Sequence, residues 1–111
     1  MPVSAGFLQH VVDQLSASLP VTSRRMFGGA RLYAHGLFFG LIHDDVLYLK
    51  VNEATRGRYE AAGQRAFDPS VVKPGTKPMG YFSVPEEVVE DPEVLGQWAE
   101  EALAVAGAAK R

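Results

Sequence analysis

Apolar runs broken by pairs of turn-forming residues constrain this chain more than any other feature: "ARLYAHGLFFGLIHDDVLYLKV", residues 30–51. His35 and Gly36 sit at the centre of one two-residue hairpin, where glycine accepts a positive φ. Asp44 and Asp45 make a second tight turn, a conformation that aspartate tolerates better than most residues. The pattern predicts a three-stranded antiparallel meander over about 25–34, 37–43 and 46–51.

Two-residue turns fix which side chains share a face. Tyr33, Phe38, Ile42, Leu47, Leu49 and Val51 then fall on one side. Leu32, Leu37, Phe39, Leu41, Val46 and Tyr48, with His43 and Lys50, fall on the other. Both faces are largely apolar. A two-layer domain with its helices on one side would leave the second face bare, which a monomer rarely tolerates. Either a helix crosses over or another chain covers it, and self-association is the simplest cover. Leu37, Phe39, Leu41 and Tyr48 are therefore the candidate interface. A turn of odd length would flip this alternation.

The rest of the chain supplies helices. Ser4 is placed to cap a helix whose apolar stripe is Phe7, Leu8, Val11, Val12, Leu15 and Leu19, and Pro20 ends it. Asn52 is placed to cap a short helix through about Ala62, with Gly63 at its end. Residues 65–68 read as a short strand, 69–78 as a proline-rich surface loop and 79–84 as a fifth strand closed by Pro85. Asp91 and Pro92 start a last helix with Val94, Leu95, Trp98, Ala99, Ala102, Leu103 and Ala106 on its apolar face; the final residues, 108–111, should fray. The order is α-β-β-β-α-β-β-α: an α+β domain, a two-layer antiparallel sheet with helices. Residues 1–111 are expected to form a single domain with an ordered core over about 4–106.

Composition narrows the class. With 47% hydrophobic residues the chain can build an ordinary core, and it has no cysteine for a disulfide, a thiolate metal site or a nucleophile. No apolar run is long enough for a membrane span, and the expected location is the cytoplasm. The net charge of −2 does not favour non-specific nucleic-acid binding. The charge is uneven, though: residues 24–77 carry nine basic and five acidic side chains, and residues 85–111 carry seven acids and two bases.

Candidate chemistry is sparse. Gly28 and Gly29 beside Arg24 and Arg25 could expose backbone N–H groups to an anion, with Lys50 as a further cation. Yet these glycines lead into strand, not into a helix N-terminus, so a bend or bulge is the competing reading. His10, His35 and His43 show no metal-ligand spacing. No serine lies in a nucleophile-elbow pattern. Phe38, Phe39, Tyr48, Tyr81 and Phe82, with Arg31, Lys50 and Lys77, could form a base-stacking platform, although packing accounts for the same rings. No catalytic residue, metal or cofactor is expected.

"RRMFGGARLYAHGLFFGLIHDDVLYLKVN", "YEAAGQRAF", "MGYFSVPEEV" and "LGQWAEEALAVA", in that order, resemble the N-terminal domain of TfoX/Sxy-type proteins, from about Val21 to Ala106. Arg25-Met26-Phe27-Gly28-Gly29, Tyr48-Leu49-Lys50, Tyr81 and Pro85 carry the likeness. The resemblance implies a secretion-chaperone-like α+β topology and a non-catalytic regulatory or adaptor role through protein contacts. Two-domain members regulate natural competence and catabolite-controlled transcription; the likeness covers their first domain alone, so this chain is expected to be a stand-alone version. A homodimer or a regulatory protein is the expected partner. The alternatives are a nucleic-acid accessory factor using segment 24–77, which is possible but not favoured, and a small anionic-ligand binder at Gly28, Gly29 and Lys50.

Overall fold

Both tight turns form as the sequence predicts. His35 and Gly36 have φ of 52° and 76°, and Asp44 and Asp45 have φ of 54° and 56°. Paired left-handed residues twist the backbone in the sense that flanking strands require. The computed structural model describes residues 5–26, 29–68 and 80–109. The anticipated Ser4 cap, the 69–78 loop with Lys77, and the last two residues of the tail lie outside these.

Five strands form one antiparallel sheet in sequence order: β1 (Val21–Met26), β2 (Gly29–Ala34), β3 (Leu37–His43), β4 (Val46–Lys50) and β5 (Tyr81–Ser83). The segment expected as one strand over 25–34 is thus two, with Met26 paired to Gly29. β1 gives no apolar alternation because Thr22, Ser23, Arg24 and Arg25 are all exposed on the sheet edge. The segment 65–68 contributes a single bridge, Ala66 to Phe82, instead of a full strand.

Helices α1 (Ala5–Ser16) and α4 (Pro92–Ala109) cover one side of the sheet. Leu8, Val11 and Leu15 of α1 and Leu95, Ala99, Ala102 and Ala106 of α4 recur at helical spacing and are buried against Leu32, Ile42, Leu47 and Leu49. Fully burying one such leucine contributes about 1.5–3 kcal/mol. Asp91 caps α4 as expected, its carboxylate accepting the N–H groups of Glu93 and Val94 at 3.2 and 3.3 Å. Asn52, expected to cap the second helix, instead accepts the N–H groups of Ala54 and Thr55 at 2.9 and 3.0 Å in a turn ahead of α2 (Arg56–Ala61), whose N-cap position is Thr55. A four-residue helix, α3 (Glu86–Val89), follows Pro85. His10 of α1 meets Glu90 at 2.9 Å and ties α1 to the end of α3. Among the described residues no helix is long and apolar enough to cross a membrane.

One irregularity decides which side chains face which layer. Leu32 pairs with Gly40 but Tyr33 pairs with Phe38, leaving Phe39 as an extra residue on β3. Such a bulge breaks the alternation for every residue before it on the strand. Phe39 and Leu37 therefore turn to the helix side, where Phe39 is fully buried, while Phe38 and Tyr33 turn to the opposite side. The expected two-residue turns are both present; the bulge alone reverses these assignments.

Candidate interaction surface on the open side of the sheet

The side away from α1 and α4 carries a band of rings. Tyr33, Phe38 and Tyr81 lie in sequence across β2, β3 and β5, with ring centroids 5.6 Å and then 5.2 Å apart. Tyr48 meets Phe67 edge-on at 5.0 Å, and His43 meets the same ring at 5.5 Å. Offset and edge-to-face pairs at these separations are the favoured arrangements of aromatic quadrupoles. Two cations lie on the band: the Arg31 guanidinium over Phe38 and the Lys50 ammonium over Tyr81, each 4.9 Å from the ring centre.

The band is partly roofed by the chain itself. Phe67, from the segment after α2, packs with Leu41 and Tyr81 into a second small cluster, and all three are buried. Burial pushes the Tyr81 hydroxyl up to about 12, with Arg31 pulling the other way. The Tyr48 hydroxyl is also raised by burial, opposed by Arg65 and reinforced by Asp44. Tyr33, Phe38 and Tyr48 remain half-exposed.

Of the four interface candidates, Leu41 and Tyr48 are on this side and Leu37 and Phe39 are not. The bulge is the reason, and it also places Tyr33 and Phe38 here, which alternation alone had put with Ile42. A face expected to be bare is instead half-covered, because Phe67 folds back over it. The platform proposed from sequence divides in the same way: Phe38, Tyr48 and Tyr81 share the open side, whereas Phe39 and Phe82 belong to the main core.

The anion-site residues are spread out. Gly28 lies outside the described residues. A Cβ on Gly29 would collide with the Ile42 carbonyl oxygen, so glycine is needed there for close approach of β3. Gly29 pairs with His43 at one end of β3, while Lys50 is four residues along β4 from Val46, the partner of His43. At about 3.3 Å per residue that is roughly 13 Å, too far for one small anion to bridge. Arg24 and Arg25 are exposed on β1, opposite Arg31 and Ala30.

Elsewhere, a cleft of about 340 Å³ beside Val51 and Phe82 is lined by Glu53, Arg56 and Glu60. These charges pair with one another, Arg56 to Glu53 at 3.0 Å and to Glu60 at 3.7 Å. Among the described residues no three His, Cys, Asp or Glu side chains gather as a metal site.

A five-stranded antiparallel meander with its two main helices on one side and a ring-lined, cation-capped other side defines an α+β domain built around surfaces. The chain belongs to the TfoX N-terminal domain family, whose profile matches residues 13–106. No curated protein matches it significantly.

Proposed function

We propose that residues 1–111 form one cytoplasmic domain acting as a non-catalytic regulatory or adaptor module, working through protein contacts on the open side of its sheet, self-association included. Membership of the TfoX N-terminal domain family supports the regulatory part of this reading. The observation that carries the contact surface is the half-exposed set Tyr33, Phe38 and Tyr48 with Arg31 lying on it. Tyrosine and arginine dominate the energetic centres of protein interfaces, since each offers a large flat surface with a polar tip. Light scattering over a concentration series tests self-association. A dimer is expected, and Phe38→Glu or Tyr48→Glu should convert it to a folded monomer. A native chain that stays monomeric throughout removes the dimer.

A second reading rests on a different observation. Arg24, Arg31 and Lys50 share the aromatic side, an arrangement suited to a single strand whose bases stack on rings while cations meet phosphates. Retardation of labelled single-stranded DNA or RNA, steeply weakened by salt and lost in Arg24→Glu/Arg31→Glu, would favour it. Absence of retardation at low salt would remove it.

A further inference from the structure

The two edges of the sheet are treated differently. The β5 edge is occupied: Phe67 N–H donates to the Tyr81 carbonyl at 2.7 Å and Ser83 N–H to the Arg65 carbonyl at 2.9 Å. Among the described residues the β1 edge is open. Its six residues pair with β2 in unbroken register, and no backbone group among the described residues bonds to its outer side. It contains no proline and no bulge, the usual guards of an edge. Arginines alone protect it. Arg24 lies directly across from Arg31, a like-charge pair that opposes folding, and no described carboxylate pairs with Arg24, Arg25 or Arg31.

We infer that the β1 edge is a strand-addition site for an extended acidic segment of a partner protein. The occupant follows from the chemistry of the edge. A free strand edge alternates N–H and C=O groups, which only another peptide strand satisfies together; a phosphate backbone would meet the carbonyls unfavourably. A second copy of β1 is opposed because antiparallel self-pairing crowds four arginines from two strands. This chain's own acids Glu86, Glu87, Glu90 and Glu93 are held in α3, at its C-cap and at the start of α4, so they supply no extended segment. The inference extends the protein-contact reading but uses the edge, and it stands even if the aromatic side proves idle.

The probe is a labelled peptide of about seven residues alternating Glu and Val, long enough to span the six residues of β1. Titration into the intact protein should shift the backbone amides of Val21–Met26 and newly protect the alternate ones that point away from β2. Arg24→Glu/Arg25→Glu, both at exposed positions, should weaken binding roughly tenfold or more. A peptide N-methylated at every residue, equal in charge but with no backbone donor on either edge, should not bind. Phe38→Glu should leave the amide shifts intact while disturbing any contact made through the aromatic side. Equal binding by the N-methylated peptide, or no shift in β1 amides, overturns strand addition. So does an oligonucleotide that shifts these amides when the peptide does not.

Discussion

Truncating Phe39 and its neighbour Phe38 separately tests the bulge on which the layer assignment depends. Phe39 is fully buried among the helix-facing core residues. Phe39→Ala removes a ring that the surrounding layer cannot replace, for a cost of about 3–5 kcal/mol. Phe38 is half-exposed, and its truncation loses ring contacts with Tyr33 and Tyr81 and the Arg31 contact, about 1–2 kcal/mol in all. Against a total stability of about 5–15 kcal/mol the first change is severe and the second tolerable. At about 4 °C per kcal/mol for a chain of this length, Phe39→Ala should melt roughly 12–20 °C lower and Phe38→Ala roughly 4–8 °C lower. Urea unfolding followed by circular dichroism supplies both values, with an unchanged slope confirming that the same transition is compared. Should Phe38→Ala prove the more damaging of the two, strict alternation would be right and the bulge wrong.

Other outcomes follow from single contacts. Gly29→Ala drives a methyl into the Ile42 carbonyl and should cost about 1–3 kcal/mol by thermal melting, whereas Gly57→Ala, with open space around it in α2, should gain about 0.5–1 kcal/mol. Among the described residues the Tyr59 hydroxyl is buried with no partner in hydrogen-bonding geometry, so Tyr59→Phe should be neutral or stabilising in the same assay. The Tyr81 hydroxyl titrates near 12 when folded against an ordinary 10.0. The neutral ring is thus favoured by the fold: its contribution is complete below pH 10 and is lost as pH rises through 12. Phenolate absorbance should show Tyr48, Tyr59 and Tyr81 titrating late and moving to earlier pH in urea, with one late step missing in Tyr81→Phe.

How much of this was legible in the sequence depended on whether local chemistry or long-range pairing decided it. The hairpins at His35-Gly36 and Asp44-Asp45 and the cap at Asp91 depend on a few adjacent residues and could be read, whereas Asn52 closes a turn ahead of α2 and Thr55 takes the N-cap position. β1 could not, because an exposed edge strand of Thr, Ser and Arg has no buried face to impose a period of two. The bulge was equally hidden. Leu37, Phe38 and Phe39 are all apolar, so nothing in the run says which one takes the extra position. The layer assignment of Tyr33 and Phe38 failed for that reason, while Ile42, Leu47, Leu49 and Tyr48, beyond the bulge, were grouped as they lie. Phe67 gave a further miss: a single bridge after α2 has no periodic signal, yet it covers the face that appeared bare.

The edge and the aromatic side are also one continuous surface. Thr22 and Arg24 of β1 pair with Tyr33 and Arg31, so they project toward the same side as the ring band. A strand added beyond β1 would extend that band by one more row, its alternate side chains standing beside Thr22 and Arg24 at about 5 Å spacing. Acidic residues in that row would relieve the Arg24–Arg31 repulsion, and apolar ones would reach toward Tyr33. Binding at the edge should therefore depend on the face only through this shared row. Tyr33→Ala combined with Arg24→Glu should show a coupling free energy of about 0.5 kcal/mol or more for the acidic peptide, whereas Tyr48→Ala, over on β4, should add independently. Additivity for both pairs would mean that edge and face are separate surfaces.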